Sequence, residues 1–152
     1  MPSRRDQIKM TDEELRQFLG EKKVVTCATI GPNGRPHLMP LWYAPEATTL
    51  RGWTYAKSQK AKNLERDPRA TLQVEDGELY NELRGVMMEC DVDIERDADK
   101  VADFGRALFQ RFGAVGPDVE TMIVGQAPKR IGLTFTPTRV VSWDHTKLGG
   151  TY

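Results

Sequence analysis

The sequence predicts a mainly β protein: an antiparallel sheet of about six strands that closes into a barrel, with a few helices flanking it. Short β-branched segments recur along the chain, and turn residues between them place successive strands in hairpin order. The segment 85–95 alternates between apolar and polar residues. Such alternation is typical of a strand that has one face packed against the core and the other face exposed to solvent.

Composition and charge place the chain among ordinary globular proteins. Its 152 residues, 39% of them apolar and 29% charged, suit one domain that spans residues 1–152. Lysine plus arginine number 22, and aspartate plus glutamate also number 22, so the formal net charge is zero. A neutral chain lacks the broad basic face that nucleic-acid binding needs, so no nucleic-acid partner is expected.

The sequence shows no pattern typical of a membrane-spanning segment or of a signal peptide. No stretch approaches the roughly 20 apolar residues of a membrane span, and residues 1–10 are polar. Cys27 and Cys90 stand far apart within predicted strands, which favours free thiols in a reducing compartment. We therefore expect a cytoplasmic protein, and no zinc site, because the sequence has only 2 histidines and no cluster of ligands.

A short helix and a strand open the predicted fold. Thr11 and Glu14 form a capping box that begins the helix, and Gly20 is expected to end it. The β-branched stretch 24–30 then predicts the first strand.

The next strand is interrupted by prolines. A Gly-Pro-Asn-Gly turn at 31–34 connects the first strand to the second, 35–43. Pro36 and Pro40 lie within the second strand, and proline cannot donate a hydrogen bond to a ladder. An exposed edge or a bulge is therefore expected there. A third strand is predicted at 49–55.

The remaining elements alternate between helices and strands. Ser58 caps a helix that runs through Arg66, and Asp97 caps the longest helix, which reaches about Phe112. Residues 113–117 are expected to form a loop. Further strands are predicted at 70–75, 85–95, 130–135 and 139–143.

The strongest candidate for chemistry is the lysine-rich segment 53–63, where a strand meets the start of a helix. The first N–H groups of a helix are unpaired, and the helix dipole favours an anion there. Ser58 adds a hydroxyl, and Lys57, Lys60 and Lys62 add positive charge, so a phosphate group would find converging donors. On the residues alone, the alternative is a capped surface helix with solvated lysines.

Several motifs follow one another in an informative order. Trp53-Thr54 precedes Ser58-Gln59-Lys60, and an N-L-x-x-D-P-R-A run follows at 63–70. An A-T-x-x-x-x-G-x-P hairpin at 28–36 and the stretch 143–148 complete the set. Together they resemble the split-barrel family of pyridoxamine 5′-phosphate oxidase and its relatives that use coenzyme F420. That family holds the cofactor phosphate with an S-R-K motif, and the departure here is Gln59 in place of arginine.

The resemblance implies an antiparallel split barrel of roughly six to seven strands. It also implies a homodimer with cofactor sites at the interface. In that arrangement the second strand would lie along the cofactor ring, and C-terminal residues would reach the partner subunit's cofactor. The cofactor-binding residues that it implies are Met39, Pro40, Leu41, Trp42, Thr54, Tyr55, Ala56, Lys57, Ser58, Lys60, Ala61, Asn63, Trp143, Lys147 and Leu148.

Several of these residues would also suit a purely structural role. Met39, Leu41 and Trp42 would equally suit a barrel core. The C-terminal residues would equally suit a frayed chain end. His145 is a candidate general acid, because histidine is a residue type common in that role, but a merely exposed histidine fits the sequence as well.

The function implied is an F420-dependent oxidoreductase that transfers a hydride between the reduced deazaflavin and a small unsaturated substrate. Gln59, the lysine cluster and the 63–70 run favour F420 over FMN, because lysines suit the acidic tail of F420. The alternatives are an FMN-dependent oxidoreductase of the pyridoxamine-phosphate-oxidase type and a non-catalytic F420 carrier. No catalytic residue is assigned, since no triad signature or G-x-S-x-G motif is present.

Overall fold

The structure, a computed structural model that describes residues 1–150, contains one antiparallel sheet of seven strands. The strands are β1 (Val24–Ile30), β2 (Pro36–Trp42), β3 (Ala44–Glu46), β4 (Thr49–Tyr55), β5 (Arg69–Asp76), β6 (Arg84–Glu95) and β7 (Arg130–Asp144). Their order across the sheet is β2-β1-β5-β6-β7-β4-β3. The sheet curls into a half-barrel, which confirms the predicted mainly β split barrel. Thr151 and Tyr152, the end of the predicted 1–152 domain, lie outside the described residues.

Within residues 1–150, five α-helices flank the sheet. They are α1 (Arg4–Ile8), α2 (Asp12–Glu21), α3 (Gln59–Arg66), α4 (Ala98–Gln110) and α5 (Pro117–Gln126). Short 3₁₀ segments cover Tyr80–Glu82, Ala127–Lys129 and His145–Leu148. None of the helices in this part of the chain has the length and apolar character needed to cross a membrane.

Two apolar clusters hold the fold together. The larger fills the inside of the half-barrel, where side chains such as Leu72, Met88 and Phe135 are fully buried. The smaller lies between the outer face of β4 and the helices α4 and α5, with Trp53 and Leu108 among its members. The two apolar clusters therefore pack on opposite faces of β4 and hold the end of this strand in position next to α3.

The prolines of β2 lie where the sheet ends, as predicted. β2 is the first strand in the sheet order and pairs with β1, with Pro40 opposite Thr26 and Pro36 opposite Ile30. A proline nitrogen facing away from the neighbouring strand removes no hydrogen bond from the ladder. The predicted exposed edge is confirmed.

The two strands predicted at 130–135 and 139–143 form one continuous strand, β7, so that prediction is wrong. Pairing with β6 shifts by one residue: Glu89 faces Arg139, but Cys90 faces Pro137. Thr138 is therefore the extra residue of a β-bulge, and its hydroxyl donates to the carbonyl of Glu89 at 3.1 Å. The bulge accommodates the proline without ending the strand.

Some helix boundaries also differ from the prediction. Gly20 does not end α2, which continues to Glu21 and is capped at Lys22. The longest helix, α4, ends at Gln110 instead of near Phe112. Helix α5 was not predicted because it begins after a glycine without a side-chain cap. α1 and β3 were missed because they are too short for a periodicity to show.

Candidate functional site

One cavity lies where the end of β4, the edge strand β2 and the helices α4 and α5 meet. Its volume is about 480 Å³. It is lined by Pro40, Leu41, Trp42, Trp53, Thr54, Tyr55, Lys60, Phe109, Met122, Gln126 and Arg130. We call it the Lys60 pocket. Lys60 and Arg130 are the charged members of this described lining, which therefore has two positive charges and no carboxylate.

Lys60 is a buried cation. Only 7% of the residue is exposed, and no hydrogen bond or ion pair to its ammonium is found among residues 1–150. Burial lowers its pKa, with the neighbouring Cys27 opposing that shift. Burial also raises the pKa of the Cys27 thiol to about 11, so at neutral pH this thiol carries no charge that could balance the ammonium. Within residues 1–150 the Lys60 ammonium is not one of the fully buried polar atoms that lack a partner, so it reaches the cavity. A partly desolvated ammonium without a counter-charge is suited to binding an anion.

Helix α3 determines why Lys60, and not a neighbouring lysine, is buried. The helix packs on β1 through the fully buried Ala61 and Leu64, and Lys60 lies one turn before Leu64 on the same face. Lys57 and Lys62 are exposed. The three lysines of the segment are therefore not equivalent: one lines the pocket and two lie in solvent.

The start of α3 supplies further donors near Lys60. The Ser58 hydroxyl accepts from the N–H of Ala61 at 3.1 Å and from the Thr54 hydroxyl at 3.4 Å, which leaves its own proton available. The N–H groups of Gln59 and Lys60 precede the first intrahelical bonds of α3. A phosphate oxygen requires donors of these kinds. Lys60 and Thr54 line the pocket, whereas the predicted site residues Ser58 and Lys57 lie outside its lining.

The edge strand forms the apolar wall of the pocket. Pro40, Leu41 and Trp42 line it, whereas Met39 is half exposed and lies outside the lining. The ring of Trp42 packs on Phe112, with centroids 4.1 Å apart, and meets Phe109 edge to face at 5.6 Å. The alternative assignment to the barrel core is confirmed for Leu41, which packs against the core cluster, and is wrong for Met39 and Trp42, which are 47% and 41% exposed.

Other predicted site residues have structural contacts away from the lining. Ala61 is fully buried in the barrel core, and Ala56 packs against the same core. Asn63 is fully buried and ties α3 to β1, since its side-chain amide donates to the Thr29 hydroxyl at 3.1 Å.

The predicted C-terminal contributors lie outside the Lys60 pocket of their own chain. The Trp143 ring lies over Gly85, where an added Cβ would approach Cζ2 to 2.4 Å. The Lys147 ammonium donates to the Lys9 carbonyl at 2.9 Å and pairs with Glu14 at 2.7 Å. This ammonium is the main cause that lowers the pKa of Glu14 to about 2. Contact of Trp143, Lys147 or Leu148 with a partner's cofactor stays a prediction.

His145 is held at the surface by its neighbours. Its Nδ1 atom lies 2.7 Å from the Tyr80 carbonyl, and the two rings meet edge to face at 4.6 Å. The residue does not line the Lys60 pocket. The position favours a structural role in joining two 3₁₀ segments over the role of a general acid.

Comparison with known proteins adds to this geometry. The sequence model described as pyridoxamine 5′-phosphate oxidase matches residues 11–144. The chain belongs to this family. The matched range contains all of the lining of the Lys60 pocket. Comparison with curated proteins finds no match.

Solved structures resemble most of the chain. A conserved hypothetical protein from Mycobacterium tuberculosis is 37% identical, with a TM-score of 0.90, and the match covers 99% of this chain and 95% of that one. An F420 reductase is 22% identical, with a TM-score of 0.64 and coverage of 82% and 94%. A heme storage protein from Vibrio cholerae is 18% identical, with a TM-score of 0.68 and coverage of 86% and 93%. At identities of 22% and 18%, the last two show the fold alone.

The sequence analysis missed five residues of the pocket lining. They are Trp53, Phe109, Met122, Gln126 and Arg130. Trp53 stood inside the motif segment but was not assigned to the site. Met122 and Gln126 belong to the unpredicted helix α5, whose signals were Pro117 at its first position and Asp118 and Glu120 in its first turn.

Proposed function

We propose that this member of the pyridoxamine 5′-phosphate oxidase family is an F420-dependent oxidoreductase that acts on a small unsaturated substrate. The observation that carries the proposal is the unpaired Lys60 ammonium at the start of α3, in a pocket walled by aromatic side chains. Such a site combines an anion-binding end with apolar surfaces for a planar ring. The same chemistry would suit FMN, so the choice of cofactor rests on charge.

The residues present fit such a cofactor. Lys60, Ser58 and the first N–H groups of α3 would hold a phosphate, while Leu41 and Trp42 would contact the ring. When bound, the reduced cofactor supplies a hydride to one carbon of a double bond, and a proton from the medium completes the other carbon. The protein's part is to orient the ring and to keep water from the apolar wall.

Charge around the pocket supports F420 over FMN. Gln59, where the oxidases have arginine, donates its side-chain amide to Asn63 at 2.8 Å, so the arginine of an oxidase-like FMN site is missing here. Lys57 and Lys62 are exposed beside the start of α3 and are free to attract a longer acidic tail. Exposed charge pairs are individually weak and are screened over about 8–10 Å at physiological salt.

We expect F420 to bind more tightly than FMN at low salt and to lose more of its affinity as salt rises. F420 carries a phosphodiester and a tail of glutamates, so it brings more charge and spreads it further than FMN does. Titration of the purified apo-protein with each cofactor at several salt concentrations measures both slopes. Equal dependence of the two affinities on salt, or tighter FMN binding at every salt concentration, would favour the FMN-dependent oxidoreductase instead. Tight F420 binding without oxidation of reduced F420 by any acceptor would identify a carrier.

We propose that the active form is a homodimer. On the outer face of β1 and β2, apolar side chains that share the same face of the ladder are left exposed: Val24 is 48%, Ile30 38%, Leu38 61% and Trp42 41% exposed. An exposed apolar face of this kind indicates an interaction surface. A second copy of the chain fits the family's implied arrangement and would bring its own C-terminal residues towards the Lys60 pocket.

Sedimentation is expected to give twice the chain mass of 17.2 kDa at tens of micromolar. Leu38→Asp should shift the protein to the monomer, because it places a charge within the apolar face. Val115→Asp is the matched control, since Val115 is 72% exposed in the connection between α4 and α5. A monomeric wild type, or equal dissociation of both variants, would reject the proposed face.

A further inference from the structure

The Lys60 pocket contains a second cation, Arg130, which has no part in the proposed binding of the cofactor phosphate. Arg130 begins β7 directly opposite Tyr55 of β4. Its guanidinium lies 4.0 Å from the centroid of the Tyr55 ring and 4.6 Å from that of Trp53. Two aromatic rings therefore fix the plane of the guanidinium in the wall of the pocket.

Arg130 retains unused hydrogen-bonding capacity. Its Nε donates to the side-chain oxygen of Gln126 at 3.4 Å, and among residues 1–150 its two terminal nitrogens have no partner. The contrast with other arginines of the chain is clear. Arg106 binds the carboxylates of Asp103 and Glu120, and Arg111 donates to several backbone carbonyls. The guanidinium groups of those two arginines are hydrogen-bonded to acceptors of the protein. The terminal N–H groups of Arg130 instead face a cavity whose lining contains no carboxylate.

The planar guanidinium of Arg130 indicates which chemical group the ligand carries. A planar guanidinium matches a carboxylate through two parallel hydrogen bonds, and such charge-assisted pairs are stronger than neutral ones. The surrounding surface, from Trp53, Tyr55, Phe109 and Met122, suits a flat apolar body next to that carboxylate. Both features fit one small molecule with an unsaturated, planar frame and an acid group.

We propose that Arg130 binds the carboxylate of the substrate, so that the substrate class is a small unsaturated carboxylic acid. The word substrate rests on the proposed function, but the binding of a carboxylate at Arg130 does not. The glutamate tail of F420 is a second source of carboxylates. Under the proposed function the exposed Lys57 and Lys62 would be the partners of that tail, whereas the Arg130 guanidinium packs on the rings of Trp53 and Tyr55 in the pocket wall.

Binding of cinnamate to the apo-protein tests the inference without any cofactor. Cinnamyl alcohol is the neutral counterpart of this probe, and the fluorescence of Trp42 and Trp53 in the lining reports both. Cinnamate is expected to bind roughly tenfold to 100-fold more tightly than the alcohol. Arg130→Met should remove most of that preference and leave only the contribution of the Lys60 ammonium in the same pocket. Arg130→Lys should keep more of it, because an ammonium retains the charge but not the planar pair of donors.

Arg139→Met is the matched control on the same strand. Arg139 is exposed and pairs with Glu89 at 3.4 Å, away from the pocket lining. Cinnamate should bind to this variant as it does to the wild type. Equal binding of acid and alcohol to the wild type, or an equal loss in the Arg139 variant, would overturn the inference.

Cofactor titrations of the Arg130 variants separate the two sources of a carboxylate. Arg130→Met should leave the affinities for FMN and F420 within about twofold of the wild type. A loss of F420 affinity alone, without a cinnamate preference in the wild type, would assign Arg130 to the cofactor tail and overturn the substrate assignment. Failure of both cofactors to bind the wild type would reject the proposed function and leave the cinnamate result to stand by itself.

Discussion

Replacing Lys60 with methionine is expected to weaken cofactor binding roughly tenfold to 100-fold. The ammonium is the unpaired donor of a largely buried residue in the site, and a charge-assisted hydrogen bond contributes about 1.5–3 kcal/mol. The folded apo-protein should be at least as stable as the wild type, because methionine fills a similar volume without burying a charge. This combination distinguishes a binding residue from a structural one, whose loss would lower stability and affinity together.

Equilibrium titration and thermal unfolding of the apo-protein provide the two measurements. Lys100→Met is the control, since Lys100 lies on α4 with 69% of its side chain exposed and pairs with Glu95 at 3.7 Å. If the Lys60 and Lys100 variants bind the cofactor alike, Lys60 is not the phosphate ligand. A Lys60 variant that is clearly destabilised would mean that the ammonium has a partner within the fold.

The largest loss of stability is expected from Arg111→Met. Arg111 caps the C-terminal end of α4 and donates from its guanidinium to the carbonyls of Gly20 at 2.9 Å and Lys22 at 2.6 Å, at the end of α2. It also donates to the carbonyls of Tyr43 and Leu19, and stacks on the Tyr43 ring at 4.9 Å. One side chain therefore joins two helices to the connection between β2 and β3.

Loss of this guanidinium leaves partly buried carbonyls without a donor. We expect a decrease of about 3 kcal/mol in the free energy of unfolding, since each charged hydrogen bond contributes about 1.5–3 kcal/mol and the contributions are not additive. For a domain of this size the melting temperature should fall by roughly 6–12 °C.

Arg106→Met on the same helix is the control for Arg111. Its partners, Asp103 and Glu120, are exposed carboxylates that remain hydrated when the arginine is removed. Denaturant titration of both variants should give a much smaller loss for Arg106. Similar losses in the two variants would show that Arg111 acts as an ordinary surface arginine.

The anion-binding end of the site was largely predictable. Thr54, Ser58 and Lys60 follow one another at the junction of a strand and a helix, and local sequence determines such a junction. The difference between Lys60 and Lys62 was also present in the sequence. Lys60 stands four residues before the apolar Leu64, on the packed face of the helix, and Lys62 does not.

The other end of the pocket depends on residues that are distant in the chain. Trp53 and Arg130 are brought together by the pairing of β4 with β7, which joins the first half of the chain to its last strand. Met122 and Gln126 reach the same cavity because α5 packs beside α4 against the outer face of β4. No local pattern marks these contacts, since each arises from strand register and from helix packing.

The strand-rich pattern, the edge position of β2 and the donors at the start of α3 are visible in the amino-acid sequence, because they depend on neighbours in the chain. Proline excludes a ladder hydrogen bond, a capping residue begins a helix, and alternation selects the packed face of a strand. The lack of a counter-charge beside Lys60, and the position of Arg130 at the cavity with unused donors, became known from the folded structure alone. Burial and the lack of a partner are properties of the packed molecule, because each depends on side chains that the folded sheet and helices bring together from distant parts of the chain.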